Sequence, residues 1–154
     1  MGSRAEAERV GLRYLSSAYQ VRRLVDEHMV AHGLSLSRTK MLQMLELRGP
    51  SQQAVLAEAL DLAPRSVTQT LEGLERDGHI KRRRDPADRR GKLVTLTPAG
   101  SSALAAGRAA GEQALRQIFG ALQRKQLADL DGLLSAIETA LAPRRGPRFG
   151  LLQG

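Results

Sequence analysis

Apolar residues recur every three or four positions in the first part of the chain, which is the spacing of one face of an α-helix. In residues 5–32 this face carries Tyr14, Ala18, Val21, Val25, His28 and His32. After Gly33, a second helix is predicted to start at Ser37 as its N-cap and to end at Gly49–Pro50, because glycine allows a left-handed stop and proline blocks continuation. Its buried side is predicted to carry Met41, Leu42, Met44 and Leu45. The chain therefore begins with two predicted helices.

Two shorter helices separated by a tight turn follow. Ser51 is predicted to cap a helix over residues 52–60, with Val55, Leu56 and Leu60 facing inward. After a turn at residues 61–63, Pro64 opens the next helix, because proline is best tolerated in the first helical turn. That helix is predicted to run to Asp77–Gly78 and to bury Val67, Leu71 and Leu74. This order is typical of a helix-turn-helix, although many helical hairpins share it.

The period changes from helical to alternating after Gly78. Ile80 and residues 93–96 predict two strands, separated by a loop over residues 85–91 that contains Pro86 and Gly91 as breakers. Thr97–Pro98 then predicts the start of an alanine-rich helix that reaches about Leu122. The last helix carries aliphatic residues at alternating steps of three and four, namely Leu127, Leu130, Leu134, Ile137 and Leu141. This is the spacing of a heptad seam.

A seam of five aliphatic side chains has to be covered from water. The first helix and the end of the fifth could cover it within one chain, which would give an intramolecular helical bundle. Both of those segments need covering themselves, so a second copy of the chain is the more economical partner.

Composition limits the class of protein. A chain of 154 residues with 42% hydrophobic and 26% charged residues suits one globular domain. The absence of cysteine excludes disulfides and thiolate metal sites. With two tyrosines, two phenylalanines and no tryptophan, the chain lacks the stacking platforms that hold single-stranded nucleic acid. No apolar run approaches a membrane span and no signal-peptide pattern is present, so a cytoplasmic protein is expected.

Charge points to a polyanionic partner. The formal net charge is +8, and residues 79–92 alone hold seven basic and two acidic residues. A solvated basic face would also produce this pattern. Catalysis is not expected, because no Ser-His-Asp set, HExxH motif or phosphate-binding glycine loop is present. His28 and His32 have the i, i+4 spacing of zinc ligands but lack a convincing acidic or cysteine partner, so no metal site and no cofactor are predicted.

The hairpin sequence DPADRRGKLVTLTPAG, residues 85–100, lies between a helix-turn-helix and a long helix. It closely resembles the wing of the MarR family of winged-helix transcriptional regulators, whose signature corresponds to Asp88, Arg90, Leu96, Thr97 and Gly100. The resemblance covers about residues 5–143. It implies a mainly α fold with a small β-hairpin wing, in which a winged helix-turn-helix lobe adjoins a helical dimerisation lobe.

The resemblance also implies a single MarR-like domain. Residues 5–33 and 98–142 would form the dimerisation helices, residues 34–97 the DNA-binding lobe, and residues 143–154 a flexible basic tail. Similar proteins are homodimers whose first, fifth and sixth helices interlock.

Individual DNA-contacting roles follow from the resemblance. The helix opened by Pro64 would lie in the major groove, where an arginine fork fits guanine and a glutamine amide fits adenine. In the wing, Arg90 would enter the minor groove, Arg89 would lie beside phosphates, and Asp88 would hold the hairpin tip and orient a neighbouring arginine. Among Arg82, Arg83 and Arg84, one or two would touch DNA while another pairs with an acid. The predicted DNA-binding set is Gln53, Pro64, Arg65, Ser66, Gln69, Thr70, Arg84, Asp88, Arg89 and Arg90.

The function implied is that of a sequence-specific regulator of double-stranded DNA. The expected form is a homodimeric repressor in the cytoplasm, associated with the nucleoid, whose pseudo-palindromic operator has half-sites about 34 to 36 Å apart. The resemblance leaves open a small-molecule effector bound between the lobes, and its binding residues are unknown. The alternative is a sequence-tolerant architectural DNA-binding protein, because the charge of the wing is large relative to the few polar side chains on the Pro64 helix.

Overall fold

The computed structural model describes residues 3–142, which form six α-helices and a small three-stranded antiparallel sheet. In chain order the elements are α1 (Arg4–Ala31), α2 (Leu36–Arg48), β1 (Ser51–Gln52), α3 (Gln53–Leu60), α4 (Pro64–Arg76), β2 (Ile80–Arg84), β3 (Lys92–Leu96), α5 (Pro98–Phe119) and α6 (Arg124–Leu141). The strand order is β1-β3-β2. The predicted fold class, mainly α with a β-hairpin wing, is confirmed, and the predicted tail lies outside the described residues.

The predicted cap of α2 is wrong by two residues. The Ser35 hydroxyl, and not that of Ser37, accepts a hydrogen bond from the Arg38 amide at 3.3 Å. A carboxylate oxygen of Asp26 on α1 also accepts from the Leu36 amide at 2.8 Å. These two acceptors satisfy amides that the first turn of a helix leaves without partners. The helix can therefore begin earlier than the local sequence indicates.

The start of α3 also differs from the prediction. Ser51 is paired with Val94 in the sheet instead of capping a helix, and its hydroxyl donates to the Gly49 carbonyl at 3.0 Å. The N-cap is Gln52, whose side chain makes no capping hydrogen bond. Val55, predicted to face inward, is 40% exposed, because the buried stripe of α3 runs along Leu56 and Ala57 instead.

Two apolar clusters hold the described residues together. The larger cluster joins α2, α3, α4, the sheet and the middle of α5, and its fully buried members include Met41, Leu42, Leu56, Val67, Leu71, Leu74, Ile80, Val94 and Leu104. The smaller cluster joins α1, the start of α2 and α5 through Val25, Met29, Leu36, Ala110 and Ala114. Since α2 and α5 contribute to both, they connect the helix-turn-helix lobe to α1.

Helix α6 and the first half of α1 remain outside both clusters. None of the residues of α6 is buried, and residues 3–20 are all exposed. Leu127 and Ile137 of the predicted seam are 39% and 42% exposed, so packing among residues 3–142 does not bury the seam. Within residues 3–142, no helix is both long and apolar enough to cross a lipid bilayer.

Candidate nucleic-acid interface

The hairpin β2–β3 is fixed to the core by the segment Leu96-Thr97-x-x-Gly100. The Thr97 hydroxyl donates to the Gly78 carbonyl at 2.7 Å and accepts from the Gly100 amide at 3.0 Å, while the Thr97 amide donates to the His79 carbonyl at 3.1 Å. A Cβ at Gly100 would overlap that His79 carbonyl oxygen. One threonine therefore closes the base of the wing and caps α5, and the glycine permits the close approach of the two backbones.

Side chains along β2 alternate between the two faces of the sheet, and its three arginines therefore differ in exposure. Ile80 pairs with Leu96 and Arg82 with Val94 in the antiparallel register. The Arg82 side chain is only 23% exposed and its Nε lies 3.6 Å from a carboxylate oxygen of Glu75 on α4. Arg83 and Arg84 are exposed. The arginine that pairs with an acid is therefore Arg82, whereas the two following it remain accessible.

The loop at the tip of the wing is organised by two aspartates. An Asp85 carboxylate oxygen accepts from the Ala87 amide at 2.9 Å, and one of Asp88 accepts from the Arg90 amide at 3.0 Å. Main-chain bonds from Asp85 to Gly91 and from Gly91 to Asp88 close the loop at 3.1 and 3.0 Å. Asp88 thus binds the main chain of the neighbouring Arg90 at the hairpin tip, and within residues 3–142 its carboxylate makes no ion pair with a guanidinium group.

Arg89 and Arg90 extend from this loop with free guanidinium groups. Both side chains are exposed, and neither makes an ion pair or hydrogen bond to another residue within positions 3–142. Exposed ion pairs would weaken their attraction to an anion, so the absence of such pairs leaves both charges available.

Helix α4 presents a polar outer face on a rigid base. Val67, Leu71 and Leu74 are fully buried, while Arg65, Ser66 and Gln69 are exposed on the opposite side. Pro64 occupies the first turn, as predicted. The Thr70 hydroxyl is half-buried and donates to the Ser66 carbonyl at 2.9 Å.

Of the predicted contact residues, Gln53 is the most enclosed. Its amide donates to the Thr68 hydroxyl, which itself donates to the Pro64 carbonyl at 3.0 Å. The side chain is half-buried between α3 and α4. In the structure this amide is therefore engaged in a contact between α3 and α4.

A residue outside the predicted DNA-binding set, Gln52, joins the wing to the helix-turn-helix. The Gln52 amide donates to an Asp85 carboxylate oxygen at 2.7 Å. The pKa of Asp85 is lowered below its ordinary value. The hydrogen bond from Gln52 has the largest effect, and the one from the Ala87 amide has the next largest. Gln52, Arg82 and Lys92 line a groove of about 260 Å³ between the start of α3 and the wing. Two adjacent glutamines at a helix start were the only sequence signal for this arrangement.

A second, apolar groove lies away from the wing. It has a volume of about 550 Å³ between α1, α5 and α6 and is lined by Tyr14, Val21, Leu115, Phe119, Leu130 and Leu134, with Arg22 also on its wall. Lys40 on α2 has a pKa lowered by burial and by the charge of Arg22. The groove therefore combines an apolar wall with a cationic neighbourhood.

His28 near the end of α1 and His32, the C-cap of α1, lie in contact with their rings tilted by 39°. Their ring centroids are 4.5 Å apart, and the His32 Nδ1 lies 2.8 Å from the His28 carbonyl oxygen. No group of three histidine, aspartate or glutamate side chains suited to a metal ion occurs within positions 3–142.

Known proteins with a similar sequence or fold include transcriptional regulators. The sequence profile of the MarR family matches residues 34–92. The HTH-type transcriptional regulator YkoM of Bacillus subtilis is 32% identical over 84 residues, which cover 52% of this chain and 54% of that protein. The chain thus matches about half the length of this curated relative.

Solved structures extend the likeness over most of the chain. A probable transcriptional regulator from Pseudomonas aeruginosa is 28% identical with a TM-score of 0.69, covering 83% of this chain and 96% of that one. A mutant of Escherichia coli MarR in complex with operator DNA is 21% identical with a TM-score of 0.69, covering 89% of this chain and 99% of that one. The match over residues 34–92, together with the wing signature in residues 85–100, makes this part of the chain similar to the MarR family.

Proposed function

We propose that this protein is a transcriptional regulator that binds operator DNA as a homodimer, with α4 in the major groove and the wing in the adjacent minor groove. Two observations carry the proposal: within residues 3–142 the guanidinium groups of Arg89 and Arg90 are exposed and unpaired, and α4 has an exposed polar face. The related MarR structure with operator DNA supports it, because the same fold binds DNA there.

Base reading is assigned to α4. Arg65 and Gln69 are four residues apart and both exposed, so they share one face of the helix. Each can form a bidentate pair with a purine, worth about 1 to 3 kcal/mol of discrimination against a wrong base. Because three apolar side chains anchor the opposite face, the position of both polar groups is well defined.

Affinity is assigned to the wing. A narrow minor groove concentrates negative potential and attracts an inserted arginine, which is the role of Arg90. Arg83, Arg84 and Arg89 are exposed along the same hairpin and suit phosphate contacts, which release counterions and make binding dependent on salt.

Dimerisation is supported by the uncovered faces of α1 and α6. Leu12, Leu15 and Tyr19 of α1 are 68%, 64% and 68% exposed, and Leu133 of α6 is 64% exposed. A run of large apolar side chains this exposed is typical of a protein interface. A twofold dimer would cover these faces and would place two α4 helices on successive half-sites.

The DNA proposal is tested by fluorescence anisotropy at fixed salt. Footprinting on the DNA that flanks the coding region would supply an operator duplex, and a scrambled duplex of the same length is the control. A preference of about 10³ or more is expected for a regulator. A ratio near one would contradict sequence-specific regulation and favour the architectural alternative.

Variants assign the contacts. Arg90→Ala should weaken binding to every duplex and lower the salt slope by about one unit, whereas Arg65→Ala or Gln69→Ala should relax preference at one base position. Arg116→Ala is the matched control, because it removes the same charge from α5, where Arg116 lies 3.5 Å from Glu112. Equal effects of Arg90→Ala and Arg116→Ala would mean that only net charge matters.

We further propose that the protein is a repressor whose DNA binding is controlled by a small-molecule effector. The apolar groove with Arg22 on its wall and Lys40 nearby suits a small aromatic carboxylate. If such a ligand favours a dimer with a different α4 spacing, it weakens operator binding in proportion to its differential affinity. Adding benzoate during the anisotropy titration should then lower operator affinity, and a reporter gene behind the operator should be silent until the acid is supplied. A reporter activated by the protein, or affinity unchanged by saturating benzoate, would overturn this part.

A further inference from the structure

The two adjacent glutamines at the start of α3 bind in opposite directions. Gln52 donates to Asp85 at the base of the wing loop, at 2.7 Å, and Gln53 donates to Thr68 in the first turns of α4. Their partners belong to the two elements that are proposed to enter neighbouring grooves. Two consecutive residues therefore connect the wing to the recognition helix through side-chain hydrogen bonds.

Gln52 stands at a position where its side chain would ordinarily serve its own helix. It is the N-cap of α3, yet it makes no capping hydrogen bond. Serine, threonine, aspartate and asparagine are the usual N-cap residues because their short side chains reach the free amides of the first turn. The longer glutamine side chain instead crosses to the wing and contacts a residue 33 positions away.

Gly91 has no side chain, and the Gln52 side chain occupies the space that a Cβ at position 91 would need. A Cβ at Gly91 would lie 2.8 Å from the Gln52 Nε2 and 3.1 Å from its Cδ. The Gly91 amide and carbonyl also close the wing loop through Asp88 and Asp85. The glutamine amide is thus packed on the end of the same loop whose aspartate it binds.

The carboxylate oxygen of Asp85 that does not bind Gln52 helps to determine the shape of the wing loop. This oxygen accepts from the Ala87 amide at 2.9 Å, immediately before the segment that carries Arg89 and Arg90. A shift of Asp85 would therefore shift the loop, and with it both arginines. On this side of the hairpin β1 pairs with β3 over two residues only, whereas on the other side Arg82 lies 3.6 Å from Glu75 of α4.

We propose that Gln52 is a positioning residue for DNA binding, which through Asp85 fixes the wing loop at a set distance from α4 so that Arg90 and the α4 side chains reach adjacent grooves together. This inference rests on the proposed function and adds to it the group that holds the two DNA-contacting elements in register. Gln52 itself need not touch DNA.

The first test is a double-mutant cycle on the full chain with the operator duplex. Gln52→Ala is expected to weaken binding roughly threefold to tenfold, the range of one hydrogen bond. In the Arg90→Ala background the same change should lower affinity by less than about twofold, because the wing contact that Gln52 positions is already missing. Gln113→Ala on α5, an exposed glutamine outside the proposed interface, is the matched control and should leave affinity unchanged. Multiplicative effects of the Gln52 and Arg90 variants would overturn the proposal.

The second test exchanges donor and acceptor without changing net charge. Gln52→Glu alone places two carboxylates against each other and should weaken binding more than Gln52→Ala does. Combining Gln52→Glu with Asp85→Asn restores one carboxylate and one amide in reversed order, so affinity should return to within about twofold of wild type. Failure of the double variant to recover, with an unchanged melting temperature, would contradict a role exerted through this hydrogen bond.

A third measurement needs no DNA and separates the inference from the proposed function. Backbone ¹⁵N relaxation of the free protein should show lower order parameters at residues 85–91 in Gln52→Ala, with residues 64–76 unchanged. If wild type binds operator and scrambled DNA alike while the loop loosens as expected, the proposed function fails and the connection between Gln52 and the loop stands. If specific binding is found but neither loop order nor the cycle responds to Gln52, the inference fails and the proposed function stands.

Discussion

The close contact between Gly100 and the His79 carbonyl makes Gly100→Ala an informative substitution. The added methyl group would overlap that oxygen and would come 2.8 Å from the Leu96 Cδ1. A flexible side chain could turn away, but a backbone carbonyl cannot. The same carbonyl accepts from the Thr97 amide at 3.1 Å, so moving it also disturbs the closure of the wing.

The expected loss follows from two opposing effects. Overpacking a tightly filled site costs about 1 to 3 kcal/mol, and weakening one or two hydrogen bonds adds about 1 kcal/mol each. Replacing a helical glycine by alanine returns at most about 1 kcal/mol. The free energy of unfolding should therefore fall by about 1 to 5 kcal/mol, which corresponds to a melting temperature about 2 to 20 °C lower for a chain of this size.

Gly132→Ala is the matched control for this measurement. Gly132 lies in α6, and its added Cβ would meet nothing within 4 Å, so the variant should gain up to about 1 kcal/mol. Both variants and the wild type are compared by urea unfolding followed by circular dichroism, at one fixed protein concentration because a dimer's stability depends on it. If Gly100→Ala is as stable as Gly132→Ala, the contact with the His79 carbonyl does not explain why position 100 is a glycine.

Three further outcomes are expected. Thr97→Val should lower the free energy of unfolding by about 2 kcal/mol, because it removes the cap of α5 and leaves the Gly78 carbonyl without its donor; urea unfolding that matches wild type would argue against both bonds. Leu134→Glu should give monomers in sedimentation equilibrium that lose operator affinity, whereas full-strength binding by such monomers would contradict the dimer. Because the folded-state pKa of Asp85 is lowered, mainly by the Gln52 hydrogen bond, its contribution to stability is present above about pH 4 and is lost as the pH falls through the folded-state pKa. The stability difference between wild type and Asp85→Asn should accordingly shrink in acid, and a difference that grows there would refute the assignment.

The order of elements and the outline of the wing could be predicted from the sequence because their signals are local. Helix periodicity, Pro64 at the start of α4 and the alternation before Thr97 each involve residues a few positions apart. The hairpin accordingly has strands at Ile80–Arg84 and Lys92–Leu96, close to the predicted pair. The exposed α4 face follows from the same reasoning, since burying Val67, Leu71 and Leu74 directs Arg65 and Gln69 outward.

The errors at helix starts have a different origin. Ser35 and Ser37 are both acceptable caps by local criteria, and the choice was made by Asp26 of α1, which binds the Leu36 amide. Ser51 was drawn into the sheet by pairing with Val94, more than forty positions later. In both cases a partner remote in sequence supplied or claimed the hydrogen bond.

The sequence by itself determined the six helices and the two strands of the hairpin, where the positive charge concentrates and which family the wing resembles. Only the tertiary structure decided that Arg82 turns toward Glu75 while Arg89 and Arg90 have no partner among residues 3–142, and that Gln52 joins the wing to the start of α3. The physical reason is the range of the interactions. Backbone periodicity is fixed within a few residues, whereas an ion pair or side-chain hydrogen bond depends on the distance between groups that the folded chain alone brings together.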